Sequence, residues 1–93
     1  MRQKIAILGS TGSIGKNLLE IINKDRNKFE VVLLTANKNH SDLIKQAKKY
    51  NVKNLIIKNH KSYTLLKNIN LKGINIYNDI IILINFLKKK LIM

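Results

Sequence analysis

Cysteine and proline are both missing from this chain of 93 residues, acidic residues number five, and glycine occurs four times. Without cysteine there is no disulfide and no thiolate metal site, a composition that fits a reducing compartment. Without proline there is no proline-rich linker. Neither repeats nor a low-complexity tail divides the chain, so its length admits one small domain or part of a larger one. The first apolar stretch, residues 5–8, is shorter than the ~7–15 residues of a signal-peptide core and runs straight into glycine. A cytoplasmic location is expected. The five acids, Glu20, Asp25, Glu30, Asp42 and Asp79, form no ligand cluster, and His40 and His60 stand alone and read as surface residues. No metal ligand and no catalytic residue is assigned.

Arginine is scarce as well. The formal net charge is +13, which first suggests a nucleic-acid partner, yet only Arg2 and Arg26 among the 18 basic residues are arginine. Lysines are spread from Lys4 to Lys90 without the arginine stripe or aromatic interleaving that phosphate forks and base stacking require. Lysine, asparagine and isoleucine, the favoured residues, all have A/T-rich codons, so the charge follows a genome bias. Neither nucleic acid nor membrane is expected as a partner. A non-enzymatic basic adaptor would be separable by nucleic-acid binding with a steep salt slope.

What is present is an alternation of two periodicities. "KIAIL" (4–8) reads as a buried strand, and "IGKNLLEIINKD" (14–25) as a helix carrying Ile14, Leu18, Leu19, Ile21 and Ile22 on or near one face. "FEVVLLTA" (29–36) is a continuous apolar strand, as in a parallel sheet covered on both faces. "SDLIKQAKKYN" (41–51) predicts a helix with Ser41 as its N-cap and a stripe of Leu43, Ile44, Ala47 and Tyr50. A strand at 54–58, a weaker helix at 61–69, a short strand at 74–77 and a helix at 79–90 follow, the last with Asp79 at its start and lysines at its end. The expected fold is α/β, a Rossmann-like doubly wound parallel sheet, here incomplete: βαβαβα plus a short strand and terminal helix. Ligands of such sheets bind at the carboxyl ends of the strands.

Three of the four glycines fall in "GSTGSIG", between the first strand and the first helix. The spacing G-x-x-G-x-x-G suits a dinucleotide: a sharp turn at Gly9, close approach of pyrophosphate at Gly12, and helix-on-strand packing at Gly15, with the helix amino terminus facing the phosphates. Ser10, Thr11 and Ser13 add hydroxyls. A P-loop is excluded because Ser10 stands where its first glycine belongs and Asn17 replaces the magnesium-binding hydroxyl. A glycine turn with no ligand is the competing structural reading. At the end of the second strand, "LLTANKNH" carries no acid to accept from a ribose 2′-hydroxyl, and Lys38 with Asn37 and Asn39 can instead hold a 2′-phosphate. NADPH is favoured over NADH.

"ILGSTGSIG" (7–15) and "VVLLTANKN" (31–39) together resemble the amino terminus of the 1-deoxy-D-xylulose 5-phosphate reductoisomerase family, a resemblance that is sharp through residue 42. It implies that Thr11, Gly12, Ser13 and Ile14 hold NADPH, and that Lys38 and Asn39 match a Gly-Lys-Asn sequence at the adenosine 2′-phosphate. Asn37 stands where that sequence has glycine, and asparagine is among the residues that best tolerate a positive φ. The candidate cofactor set is therefore Gly9, Ser10, Thr11, Gly12, Ser13, Ile14, Gly15, Asn37, Lys38 and Asn39. The family's reaction is a skeletal rearrangement of a sugar phosphate followed by reduction with NADPH, aided by Mg²⁺ or Mn²⁺, in isoprenoid biosynthesis, by a homodimer. Residues 1–93 then form the NADPH-binding domain, truncated, with catalytic and C-terminal domains absent and no activity expected of this chain alone. Another NADP-binding reductase, epimerase-like, or a binding module is the alternative.

Overall fold

The computed structural model describes residues 2–69, 71–79, 81 and 84. In order they form β1 (Gln3–Ile7), α1 (Ser13–Asn23), β2 (Phe29–Ala36), α2 (His40–Tyr50), β3 (Asn54–Ile57), α3 (His60–Asn68) and β4 (Asn75–Tyr77). The four strands pair in parallel in the order β1-β2-β3-β4. This is the Rossmann-like α/β architecture expected, with all four strands winding one way from β1. Ile81 and Ile84 are helical, and the Asp79 carboxylate accepts from the Ile81 amide at 3.0 Å. The rest of the helix expected at 79–90 lies outside the described residues.

A single transverse row of side chains organises the core. Ile7 pairs with Leu34, Leu34 with Leu55, and Leu55 with Ile76, and all four are buried. Leu19 and Ile22 from α1, Leu43, Ala47 and Tyr50 from α2, and Leu66 from α3 pack on this same cluster. All three helices therefore cover one face of the sheet, as right-handed crossovers between successively added strands require. The opposite face carries a smaller cluster of Leu33 and Ile56, flanked by Val32 and Tyr77.

The continuous apolar run of β2 has a cause besides two-sided burial. Ile5 pairs with Val31 but Ala6 pairs with Leu33, so Val32 is an extra residue in the ladder. Such a bulge reverses the side-chain alternation beyond it. Val31 and Leu34 thus both reach the helix-covered core, although they are separated by an odd number of steps.

Two expectations about helices change. In α1 the buried residues are Gly15, Leu19 and Ile22, whereas Ile14, Leu18 and Ile21 are 78, 44 and 62% exposed. A helix lying on a sheet buries one stripe, and the exposed trio forms the adjoining stripe, on the flank opposite Lys16, whose side chain reaches α2. The N-cap of α2 is Asn39 rather than Ser41; its side-chain oxygen accepts from the Asp42 amide at 3.2 Å. Asn59 caps α3 in the same way through the Ser62 amide at 3.0 Å. Asparagine precedes serine in the first case and satisfies the orphan donor two residues earlier, so the helix starts at His40.

Candidate functional site

The loop between β1 and α1 is fixed from two sides. Gly9 takes φ +67°, a left-handed conformation open to glycine at no steric cost, and its amide donates to the Thr35 hydroxyl at 2.9 Å. The Ser10 amide donates to the Thr35 carbonyl at 2.9 Å, which ties the loop to β2 three residues past the end of β1. Ser10 is fully buried, and Gln46 on α2 donates from Nε2 to the Ser10 carbonyl at 2.9 Å. The Gly12 amide closes the turn on the Gly9 carbonyl at 3.1 Å.

The remaining glycines have different reasons. A Cβ on Gly15 would stand 2.4 Å from the Gly9 carbonyl oxygen and 2.6 Å from the Ser10 Cα, so α1 can pack against the loop only with glycine there. A Cβ on Gly12 would meet nothing nearer than the Gly9 carbonyl oxygen at 3.5 Å, an ordinary contact. The protein itself has room for a side chain at Gly12. Space beside it is what a phosphate would use.

Gly12 is also the N-cap of α1, and no side chain caps that helix. α2 and α3 both have asparagine caps, so among α1, α2 and α3 it is α1 that leaves its first-turn amides without a side-chain acceptor among the described residues. Those amides and the helix dipole favour an anion. The first turn holds no acid, and the hydroxyls of Thr11 and Ser13 have no partner among the described residues. Ser13 is exposed, Thr11 half-buried, and Ile14 projects into solvent beside them.

The second predicted segment follows β2. Asn37, Lys38 and Asn39 are exposed, but their backbone is fastened to the β3-α3 junction. The Ala36 carbonyl accepts from the Lys58 amide at 3.1 Å, the Asn37 carbonyl from the Asn59 amide at 2.7 Å, and the Lys38 carbonyl from the Ser62 hydroxyl at 2.9 Å. Asn37 does not use a positive φ, since Asn51 alone among described non-glycine residues does; asparagine in place of glycine therefore carries no backbone strain here. Asn39 is committed to the cap, its Nδ2 donating to the Asp42 carboxylate at 3.0 Å. Asp42 also pairs with Lys16 at 3.2 Å, linking the first turn of α2 to that of α1. The hydrogen bond from Lys16, then that from Asn39, then the charge of Lys16 hold the Asp42 carboxyl below its ordinary value.

Between the two segments opens a cleft of about 350 Å³ lined by Leu8, Gly9, Thr35, Ala36, Asn37, Ile56 and Lys58. Its floor is apolar and its rim polar. It sits at the carboxyl ends of β1, β2 and β3, where ligands of open α/β sheets bind. A larger cleft of about 430 Å³ lies at the other end of the strands around Arg2, Arg26 and Tyr50. There Arg26 donates to the Lys49 carbonyl at 2.7 Å and lies over the Tyr50 ring, while Arg2 pairs with Glu30, so its arginines are taken up in closing the end of α2 and the start of β1.

Thr35, Gln46 and Lys58 were not legible as site residues. Thr35 is the single hydroxyl of an apolar strand and Gln46 the one neutral polar side chain in a run of lysines, but neither pattern says what it reaches. His40 and His60 are the first residues of α2 and α3, the former half-buried and the latter exposed. Among the described residues no three His, Cys, Asp or Glu side chains come together as a metal site. Nor is any described helix long and apolar enough to cross a membrane.

The sequence profile of the family described as 1-deoxy-D-xylulose 5-phosphate reductoisomerase matches residues 5–83. The reductoisomerase of Pelagibacter ubique (strain HTCC1062) is 49% identical over 82 residues, covering 84% of this chain and 21% of that protein. That of Porphyromonas gingivalis (strain ATCC 33277) is 48% identical over 67 residues, covering 72% of this chain and 17% of that protein. Among solved structures, the Zymomonas mobilis enzyme in complex with NADPH superposes with a TM-score of 0.76 at 32% identity, over 83% of this chain and 21% of that one. The chain spans about a fifth of the length of these relatives. With the family profile matched over residues 5–83 and a relative 49% identical over 82 residues, the chain belongs to the 1-deoxy-D-xylulose 5-phosphate reductoisomerase family.

Proposed function

We propose that residues 1–93 are the NADPH-binding portion of a 1-deoxy-D-xylulose 5-phosphate reductoisomerase, with catalytic and C-terminal parts supplied by sequence other than this. The observation that carries this reading is the start of α1: an uncapped helix amino terminus behind Gly12, whereas α2 and α3 are both capped by asparagine. Ser13 and Ile14 offer backbone amides there, and Thr11 and Ser13 offer hydroxyls, to the pyrophosphate. Gly9, Ser10 and Gly15 shape the loop that presents them. The cleft floor formed by Leu8 and Ile56 suits a planar base, with Asn37 in its lining, and Asn37 and the adjoining Lys38 are assigned to the 2′-phosphate. Asn39 contributes through the loop it caps.

The whole enzyme then acts on a sugar phosphate, rearranging it and reducing it with NADPH to 2-C-methyl-D-erythritol 4-phosphate, as a cytoplasmic homodimer. NADPH supplies the hydride when bound; this chain binds and orients it. The Mg²⁺ or Mn²⁺ of that reaction has no fitting donor set among the described residues, and no step is assigned to it here.

The test is calorimetric titration of the chain with NADPH, beside Gly12→Val. The variant should keep its helix content by circular dichroism and give no binding heat, because a β-branched side chain fills the phosphate space. Unchanged affinity in the folded variant would reduce the glycine loop to a structural turn.

A further inference from the structure

Lys58 immediately follows β3 and lines the cleft beside Asn37, whereas Lys38, the cation the sequence singles out, does not line it. Thr35 and Asn37 alternate along β2 and its extension, as Ile56 and Lys58 do along β3, so all four project from the same face of the sheet. Backbone bonds hold the two segments in register: the Lys58 amide on the Ala36 carbonyl at 3.1 Å, and the Asn59 amide on the Asn37 carbonyl at 2.7 Å. The Lys58 backbone is thereby held beside Asn37, and the residue contributes to the lining of the cleft. No carboxylate lines the cleft, and neither Lys38 nor Lys58 forms an ion pair among the described residues. The nearby acid of α2, Asp42, is held by Lys16 and Asn39. Two unpaired ammonium groups thus flank one loop whose backbone is already tied down.

Resting on the cofactor reading above, we infer that Lys58 is a second specificity-determining cation for the 2′-phosphate of the adenosine ribose, acting with Lys38 from the opposite side of the Asn37 loop. The 2′-phosphate is dianionic near neutral pH and presents three acceptor oxygens, so it can take a charge-assisted hydrogen bond from each lysine. An AMP moiety lacking that phosphate offers Lys58 nothing.

The discriminating probes are adenosine 2′,5′-bisphosphate and AMP, titrated calorimetrically into the full chain, Lys58→Ala, Lys58→Arg and Lys38→Ala. Lys58→Ala should weaken the bisphosphate about tenfold and leave AMP within about twofold. Lys58→Arg should recover most of the loss, since the charge and donors return. Lys58 is exposed, so its variants should fold like the parent, which circular dichroism verifies. Unaltered bisphosphate affinity in Lys58→Ala, or an equal loss of both probes, overturns the inference: the first makes Lys58 a solvated surface residue, the second a residue that only shapes the cleft. If Lys38→Ala alone removes the bisphosphate preference, Lys58 is likewise excluded while the cofactor reading stands. If the parent chain binds the bisphosphate no better than AMP, the NADPH reading itself fails and this inference with it.

Discussion

Gln46, in the middle of α2, donates its side-chain amide to the Ser10 carbonyl 36 residues earlier in the chain, at 2.9 Å. Its other amide atom, Oε1, is buried without a partner among the described residues. One helix thus holds the glycine loop of another unit in place through a single side chain. Gln46→Glu keeps the shape but removes the donor and sets a carboxylate against a carbonyl. Since the loop serves the pyrophosphate common to both cofactors, NADPH and NADH affinity should fall together, by about five- to tenfold. A change in the preference between them would place Gln46 in a different role.

Gly15→Ala should act on the fold rather than on the ligand. Its methyl group has backbone atoms of Gly9 and Ser10 in its way, and backbone cannot rotate aside, so α1 must shift off the loop at a cost of about 1–3 kcal/mol. Gly12→Ala meets no such obstacle and should melt within a few degrees of the parent while binding NADPH poorly. Denaturant melts and titrations on the pair separate the two. Equal destabilisation by both would dissolve the distinction between packing glycine and ligand glycine.

Lys38→Ala should narrow the preference for NADPH over NADH. Lys38 is exposed, so the low end of a charge-assisted bond applies, about 1.5 kcal/mol or roughly tenfold. NADH affinity should barely move. In the parent chain the preference should shrink as salt rises, because exposed charges are screened within about 8 Å at physiological ionic strength. A salt-independent preference would place the discriminating contact in a buried site instead.

Acid should loosen the link between α1 and α2. The Asp42 carboxyl is held below its ordinary value of 3.8, first by the hydrogen bond from Lys16. A depressed folded value means that the contribution is complete above the unfolded value and disappears as the pH falls from about 4 through the folded one. Asp42→Asn should therefore melt below the parent by a constant margin between about pH 5 and 8, and the two curves should converge under stronger acid. A margin that persists at about pH 2 would mean the carboxylate charge is not what matters.

The sequence was most informative where local chemistry decides the outcome. The bounds of β2 were read to the residue, because aromatic and β-branched residues end abruptly at an asparagine-rich loop. The glycine loop was legible because Gly9 and Gly15 answer short-range steric demands. Ser41 reads as a cap in the sequence because serine is as good a capping residue as Asn39 two positions earlier, and only the backbone path chooses between them. Ile14 and Leu18 read as part of the apolar face because periodicity shows an apolar arc without saying how much of it the sheet will cover. Thr35, Gln46 and Lys58 could not be found at all: Thr35 and Gln46 meet their targets across 26 and 36 residues and Lys58 across neighbouring strands, and only the topology brings them together.

The orderly succession of strands also bears on how the chain acquires its structure. Along the buried row from Ile7 through Leu34 and Leu55 to Ile76, consecutive members stand 27, 21 and 21 residues apart, and each strand docks on the one made just before it. No pairing among these strands requires distant parts of the chain to meet, so the loop-closure entropy is met in similar small instalments. Each new strand-helix unit finds a finished edge waiting. Folding can advance in the direction of synthesis, with the glycine loop anchored to Thr35 as soon as β2 is in place and locked by Gln46 when α2 closes over it.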